Sequence, residues 1–316
     1  MIKVDGLKKR FGAVKALDGF SLECAPGEMT ALVGPNGSGK STALKIIAGV
    51  MKHDAGEVVL DGEPIGMNST RVRERTSYLP QRVEFPEQVT AGEVLSFFAR
   101  LRRIDKPRVS ELISAFGFHG FETKRTGELS GGMLQRLALA VVFMPQADLY
   151  ILDEATNNLD AEGMARFRAQ TLAELERGAS VILSTHGLRE VETLAHTIAV
   201  VSGGRIVAKK RIETFVEDVG RRRKMWITME NLSEAHRHVA EGMGADKTVM
   251  NCNTMTVECR EEQRIPILNA LAEQGAAITK FGLYEPSLED LYEQALTSST
   301  DRDVEVDGCS RPGPCG

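Results

Sequence analysis

The run Gly34-Pro-Asn-Gly-Ser-Gly-Lys-Ser41 constrains this chain more than any other feature, because it fills every fixed position of a phosphate-binding loop. It follows an apolar strand, Met29–Val33, and opens a helix predicted to start near Lys40, which is the context such a loop requires. Glycines let the backbone curl so that successive N–H groups and the helix N-terminus point at phosphate oxygens. Gly34, Asn36, Gly37, Ser38 and Gly39 are therefore read as the cradle, with Lys40 supplying charge to the outer phosphates and Thr42 adding a contact. The Ser41 hydroxyl is placed to coordinate Mg²⁺.

A strand, loop and helix of this kind belong to an α/β fold. Leu149–Leu152, Val181–Ser184 and Thr197–Val201 are further short apolar runs, separated by helical stretches such as Met164–Glu176 and Leu188–Leu194. Such alternation predicts a mainly parallel sheet with helices on both faces. Two β-like runs, Ile2–Val4 and Phe20–Glu23, precede it. From about residue 85 to 145 the composition changes to a helical subdomain, where Val94, Leu95, Phe97, Phe98 and Leu101 recur at helical spacing and are expected to pack into a core. A nucleotide-binding domain over residues 1–215 results. The basic run Gly220–Lys224 reads as a linker, and residues 222–296 as a small α+β domain of βαββαβ order. Residues 297–316 are polar and acidic with Gly and Pro, the composition of a disordered tail.

Composition narrows the partners. The 39 Lys and Arg against 44 Asp and Glu give a net charge of −5 over 316 residues, without the positive field that nucleic-acid binders use. No nucleic-acid partner is expected. The N-terminus does not read as a secretory signal, and no stretch of about 18 apolar residues is present to span a bilayer. Five cysteines at irregular spacing, Cys309 and Cys315 among them, read as reduced thiols.

Leu149–Glu154 is an apolar strand ending in two carboxylates, at the sheet edge where ligands bind in open α/β folds. Asp153 there would hold Mg²⁺ through water, and Glu154 would orient and polarise an attacking water. Upstream, Leu129-Ser-Gly-Gly-Met133 followed by Leu134-Gln-Arg136 narrows the class of nucleotide hydrolase. With it, residues Ile2 to Arg211 resemble the ABC ATPase family. The resemblance implies ATP and Mg²⁺ as the bound pair, ATP hydrolysis as the activity, and further roles at matching positions. Phe11 matches the aromatic that stacks on adenine, and Gln81 the glutamine that touches Mg²⁺ and links nucleotide to permease. Asn157-Asn-Leu-Asp160 matches the loop crossing the dimer interface, and His186 the histidine near the γ-phosphate.

Ser130, Gly131 and Gly132 look like a helix N-cap with exposed N–H groups, an anion site. The resemblance implies that this cap engages ATP held by a second nucleotide-binding domain, so a dimer is expected. It also implies a separate membrane permease as partner and a location at the cytoplasmic face of the membrane. Ala155, Met133 and Asn158 depart from the family pattern without removing a chemical group. The segment Glu285–Tyr292 looks like those of exporter-type systems. A soluble ABC ATPase acting on ribosomes or DNA is the alternative; such proteins usually carry two nucleotide domains or a long coiled-coil insertion, whereas this chain has one phosphate loop.

Overall fold

The chain opens with a long antiparallel pair, β1 (Ile2–Phe11) and β2 (Val14–Cys24), in a computed structural model that describes residues 1–66, 70–185, 194–214 and 223–283. Both strands run well past the apolar stretches expected from sequence. Register shifts after Val4 and around Leu7, next to Gly6 at φ 56°, break the period of two, so the exposed Lys8–Arg10 portion carries no clean alternation. After β3 (Met29–Val33) and helix α1 (Lys40–Ile47), β4 (Ala55–Leu60) and the two-residue β5 (Glu63–Pro64) complete a four-stranded sheet of order β2-β1-β4-β5. The sequence reading had only the Ile2–Val4 and Phe20–Glu23 runs of this antiparallel layer, whose remaining residues are largely polar and exposed.

The second sheet carries the nucleotide-type core. Helix α2 (Thr70–Arg75) leads into β6 (Thr76–Leu79), and the order is β10-β9-β3-β8-β7-β6, where β7 is Leu149–Asp153, β8 Ser180–Ser184, β9 Thr197–Ser202 and β10 Arg205–Arg211. The pairs β9/β3, β3/β8, β8/β7 and β7/β6 are all parallel. Every residue of β3, β7 and β8 is buried, which is why these strands read as continuous apolar runs.

Between β6 and β7 lies the helical layer, α3 (Ala91–Arg102), α4 (Lys106–Ala115) and α5 (Gly131–Val142). Each starts at a side-chain cap: Thr90 with Glu93 in a reciprocal capping box, Asp105, and Ser130. The α3 stripe corrects the core expectation in part. Val94 and Leu95 are buried and Phe98 is partly so, but Phe97 is 54% and Leu101 63% exposed, because only one side of α3 meets the other helices. Phe143, just past α5, anchors the layer with its ring 6.1 Å from Phe116, 5.0 Å from Tyr150 and 6.3 Å from Phe167. Arg108 on α4 reaches buried Glu174 on α6 (Ala161–Glu176) at 2.8 Å and Phe143 O at 2.9 Å, tying α4 to the sheet-flanking helix.

Contacts separate Met1–Lys210 from a second unit that begins at Arg211. Its described part runs β11 (Arg223–Met229), α7 (Glu234–Gly242), β12 (Lys247–Asn251), β13 (Thr254–Cys259), α8 (Arg264–Glu273) and β14 (Ile278–Leu283), which is βαββαβ order. The sheet β12-β13-β11-β14 is antiparallel throughout. One face packs Met225, Ile227, Met255 and Val257 against Ile267 and Leu271 from α8. Arg223 and Lys224, expected in a linker, instead begin β11 opposite Cys259 and Glu258. The expected helix Leu188–Leu194 (but for Leu194), the segment Glu285–Tyr292 and the tail with Cys309 and Cys315 lie outside the described residues. Cys24, Cys252 and Cys259 are free thiols. Among the described residues, no helix is long and apolar enough to cross a membrane.

Candidate active site

The phosphate-type loop forms because its neighbours leave no alternative to glycine. Gly34, Gly37 and Gly39 have φ of 152°, 78° and 108°, the left-handed side of the map. A Cβ on Gly34 would lie 2.2 Å from Val201 O, and one on Gly39 2.5 Å from Ala16 O. The loop is thus pressed between β9 and β2, and it delivers Lys40 to the first position of α1. Lys40 is buried, and its Nζ donates to Gly34 O at 2.7 Å and Pro35 O at 3.0 Å, curling back over the loop. Burial lowers its pKa below 10.5, opposed by the charges of Glu154 and Asp153. Asn36 and Gly37 are exposed at the loop crest, and Ser38 Oγ is buried without a hydrogen-bond partner.

The end of β7 brings the acidic pair beside α1. Asp153 is 1% exposed; its Oδ1 accepts from Ser41 Oγ at 3.1 Å and from Ser184 Oγ at 2.6 Å. Its Oδ2 is buried with no partner. Tyr78, in register with Ile151 and so on the Asp153 face of the sheet, also has a buried hydroxyl without a partner. Its pKa is raised by burial and then by the Asp153 charge. These two buried oxygens, on one face of the neighbouring strands β6 and β7, fit an oxygen-bound cation or a water.

Glu154 is 7% exposed and sits at φ 54°, a rare conformation for a non-glycine residue. Its N–H donates to Ser184 O at 3.1 Å and Ser184 Oγ at 3.0 Å, which holds the turn. Gln81 Nε2 donates to Glu154 Oε2 at 2.8 Å, and Asn157 Nδ2 donates to the same oxygen at 2.7 Å. Gln81 is thus joined to the second carboxylate directly.

Other expected residues lie elsewhere. Ser130 caps α5 by accepting from Met133 N at 3.3 Å, Gly131 is exposed with open space around it, and Gly132 abuts Asn158. Asp160 caps α6, its Oδ1 accepting from Gly163 N at 2.7 Å. Phe11 ends β1, 49% exposed, with Lys9 Nζ 5.5 Å from its ring centroid. Thr42 is half-buried on α1. His186 lies outside the described residues. Sequence reasoning missed Tyr78, Ser184 and the Asn157 contact. Of these only Ser184, a polar end to an apolar strand, carried a local signal.

A family model described as ABC transporter matches residues 17–157. The chain is 31% identical to an uncharacterized ABC transporter ATP-binding protein of Bacillus subtilis (strain 168), across 97% of this chain and 98% of the relative. It is 29% identical to a daunorubicin resistance ATP-binding protein of Streptomyces coeruleorubidus, across 92% and 94% of the two chains. A solved structure of the ATP-binding subunit of an ABC transporter superimposes with a TM-score of 0.64 at 25% identity, covering 70% of this chain and 93% of that one.

Proposed function

The chain belongs to the ABC transporter ATP-binding family, and from that premise we propose that it powers a separate membrane permease through ATP-driven closure of a dimer of nucleotide-binding domains. The observation that carries the reading is the convergence of buried Lys40 and of Ser41, at the start of α1, with Asp153 and Glu154 at the end of β7, where Ser41 meets Asp153 directly. In this reading the loop amides of Gly34–Gly39 and Lys40 hold the β- and γ-phosphates of ATP, Thr42 adds a contact, and Phe11 offers its exposed ring to adenine.

Glu154 is the general base: it orients water toward the γ-phosphorus and accepts its proton as the bond to ADP breaks. Gln81 and Asn157, donating to its Oε2, support that role by holding the carboxylate in one orientation. Ser41, Asp153 and Gln81 would hold Mg²⁺, and the unpartnered, buried Oδ2 of Asp153 fits an oxygen-seeking cation or its water. When bound, the ion neutralises charge on the phosphate oxygens. His186 is assigned to the γ-phosphate on the motif alone.

Ser130, Gly131 and Gly132 present the α5 N-terminus to ATP on a second nucleotide-binding domain, with Asp160 in the loop at that interface. The exposed Phe97 and Leu101 of the helical layer and Gln81 support transmission to a permease. A location at the cytoplasmic face of a membrane follows from that partner. A full-length relative named for daunorubicin resistance supports an exporter-type system.

Two measurements test this. Glu154→Gln should retain MgATP binding and lose phosphate release by about 10²–10³-fold; equal turnover in the two proteins would refute the site. Gentle purification from detergent-solubilised cells should bring a multispanning membrane protein in stoichiometric yield, whereas recovery of ribosomal or DNA-repair proteins would move the chain to the soluble branch.

A further inference from the structure

The hairpin joining β1 to β2 meets the phosphate loop at one of its own irregularities. Lys9 pairs with Leu17 and Arg10 with Lys15, so the register passes over Ala16. The carbonyl of that bulged residue is the wall behind Gly39: a Cβ on Gly39 would stand 2.5 Å from Ala16 O, and one on Gly204 2.7 Å from the same atom. Phe11, at the hairpin tip, pairs with Val14, two residues before Ala16, and both side chains are exposed. The open ring therefore stands on the strand pair that borders the loop.

One face of that ring is already occupied. Lys9 Nζ lies over it, 5.5 Å from the centroid. Asp54 holds the ammonium there: its Oδ1 accepts from Lys9 Nζ at 3.1 Å, its Oδ2 accepts from Arg10 N at 2.8 Å, and its own N–H donates to Lys8 O at 2.8 Å. Three consecutive residues of β1 are thus tied to the segment between α1 and β4. A lysine near a hairpin tip is ordinarily free in water, yet this side chain is only 16% exposed.

From this we infer that Lys9 and Asp54 are positioning residues for the nucleotide base. Lys9, fixed by Asp54, closes one face of Phe11 and leaves the opposite face, at a set angle, for the base to stack on. The inference rests on the reading of Phe11 as the adenine platform. A cation over one face attracts the π electrons of the ring, which leaves the other face electron-poor and suited to an electron-rich purine. The ammonium is engaged by the carboxylate and the ring, so its effect is confined to the base and does not extend to the phosphates.

The test titrates the full chain with MgATP and with magnesium tripolyphosphate, which carries phosphates and no base, with melting midpoints as a folding check. Lys9→Ala should weaken MgATP binding about threefold, the scale of an exposed cation–π contact, and leave tripolyphosphate binding unchanged. Lys9→Arg keeps a cation for both Asp54 and the ring and should restore the affinity. Asp54→Asn should cost about as much as Lys9→Ala, and the double variant no more than either, because both act through one ring. Equal losses for MgATP and tripolyphosphate, or no rescue by arginine, would overturn the assignment. If Lys9→Ala does not fold, Lys9→Met replaces it, keeping the apolar stem while losing the cation. Phe11→Ala is run alongside: unchanged MgATP affinity there sinks the platform reading itself, while weakened binding in Phe11→Ala with full affinity in Lys9→Ala sinks only the role of Lys9 and Asp54.

Discussion

Lys40 carries its charge where charge is costly to keep. Burial lowers its pKa from 10.5, while two loop carbonyls and the fields of Glu154 and Asp153 hold the ammonium in place. Bound phosphates add opposite charge and raise that pKa, so nucleotide binding takes up a proton wherever free Lys40 has begun to lose one. MgATP affinity should therefore be flat near neutral pH and weaken as pH rises through the lowered Lys40 pKa; titration of Kd against pH checks this, and Lys40→Arg should abolish the alkaline weakening. Residues of this kind were legible because the loop motif encodes them within eight positions of one another. The grip of Gln81 on Glu154 was not, since it joins side chains 73 residues apart and depends on where two strand ends meet. Asn157 was legible only as part of an interface loop, and nothing in its spacing foretold that its amide points inward to Glu154.

At the level of the element, close backbone approach matters more than propensity. Gly39 combines φ 108° with a potential Cβ contact of 2.5 Å to Ala16 O and 3.0 Å to Leu17 Cδ2. Gly39→Ala should cost about 2 kcal/mol or more from backbone strain and overpacking. A denaturant titration would measure that loss, and a nucleotide titration should show ATP binding reduced with it. The buried parallel strands β3, β7 and β8 were legible as unbroken apolar runs. Helix α6 begins at Ala161, three residues before the sequence reading, because Asp160 caps it and the first turn is polar. Of the β1/β2/β4 layer only the Ile2–Val4 and Phe20–Glu23 runs were legible as strand; bulges and charged outer faces hid the rest and its pairing.

For the whole molecule, the relevant fact is that Met1–Lys210 and the unit from Arg211 onward each bury a core of their own. Ligand energy enters through the unit with the phosphate loop. At MgATP near 100 times Kd, that unit should gain about 2.7 kcal/mol. Calorimetry should register the gain as an upward shift of its transition, and Lys40→Ala should erase the shift. Against a total stability of order 5–15 kcal/mol such a gain is large, and so is any built-in cost. The left-handed backbone at Glu154 is one, worth of order 1–3 kcal/mol in a residue with a Cβ. Glycine would release it, yet glycine has no group to accept the proton that the proposed function assigns to Glu154. If Glu154 is the base proposed above, Glu154→Gly would make a sturdier protein and a silent one, and the glutamate is a place where this chain gives up durability for turnover.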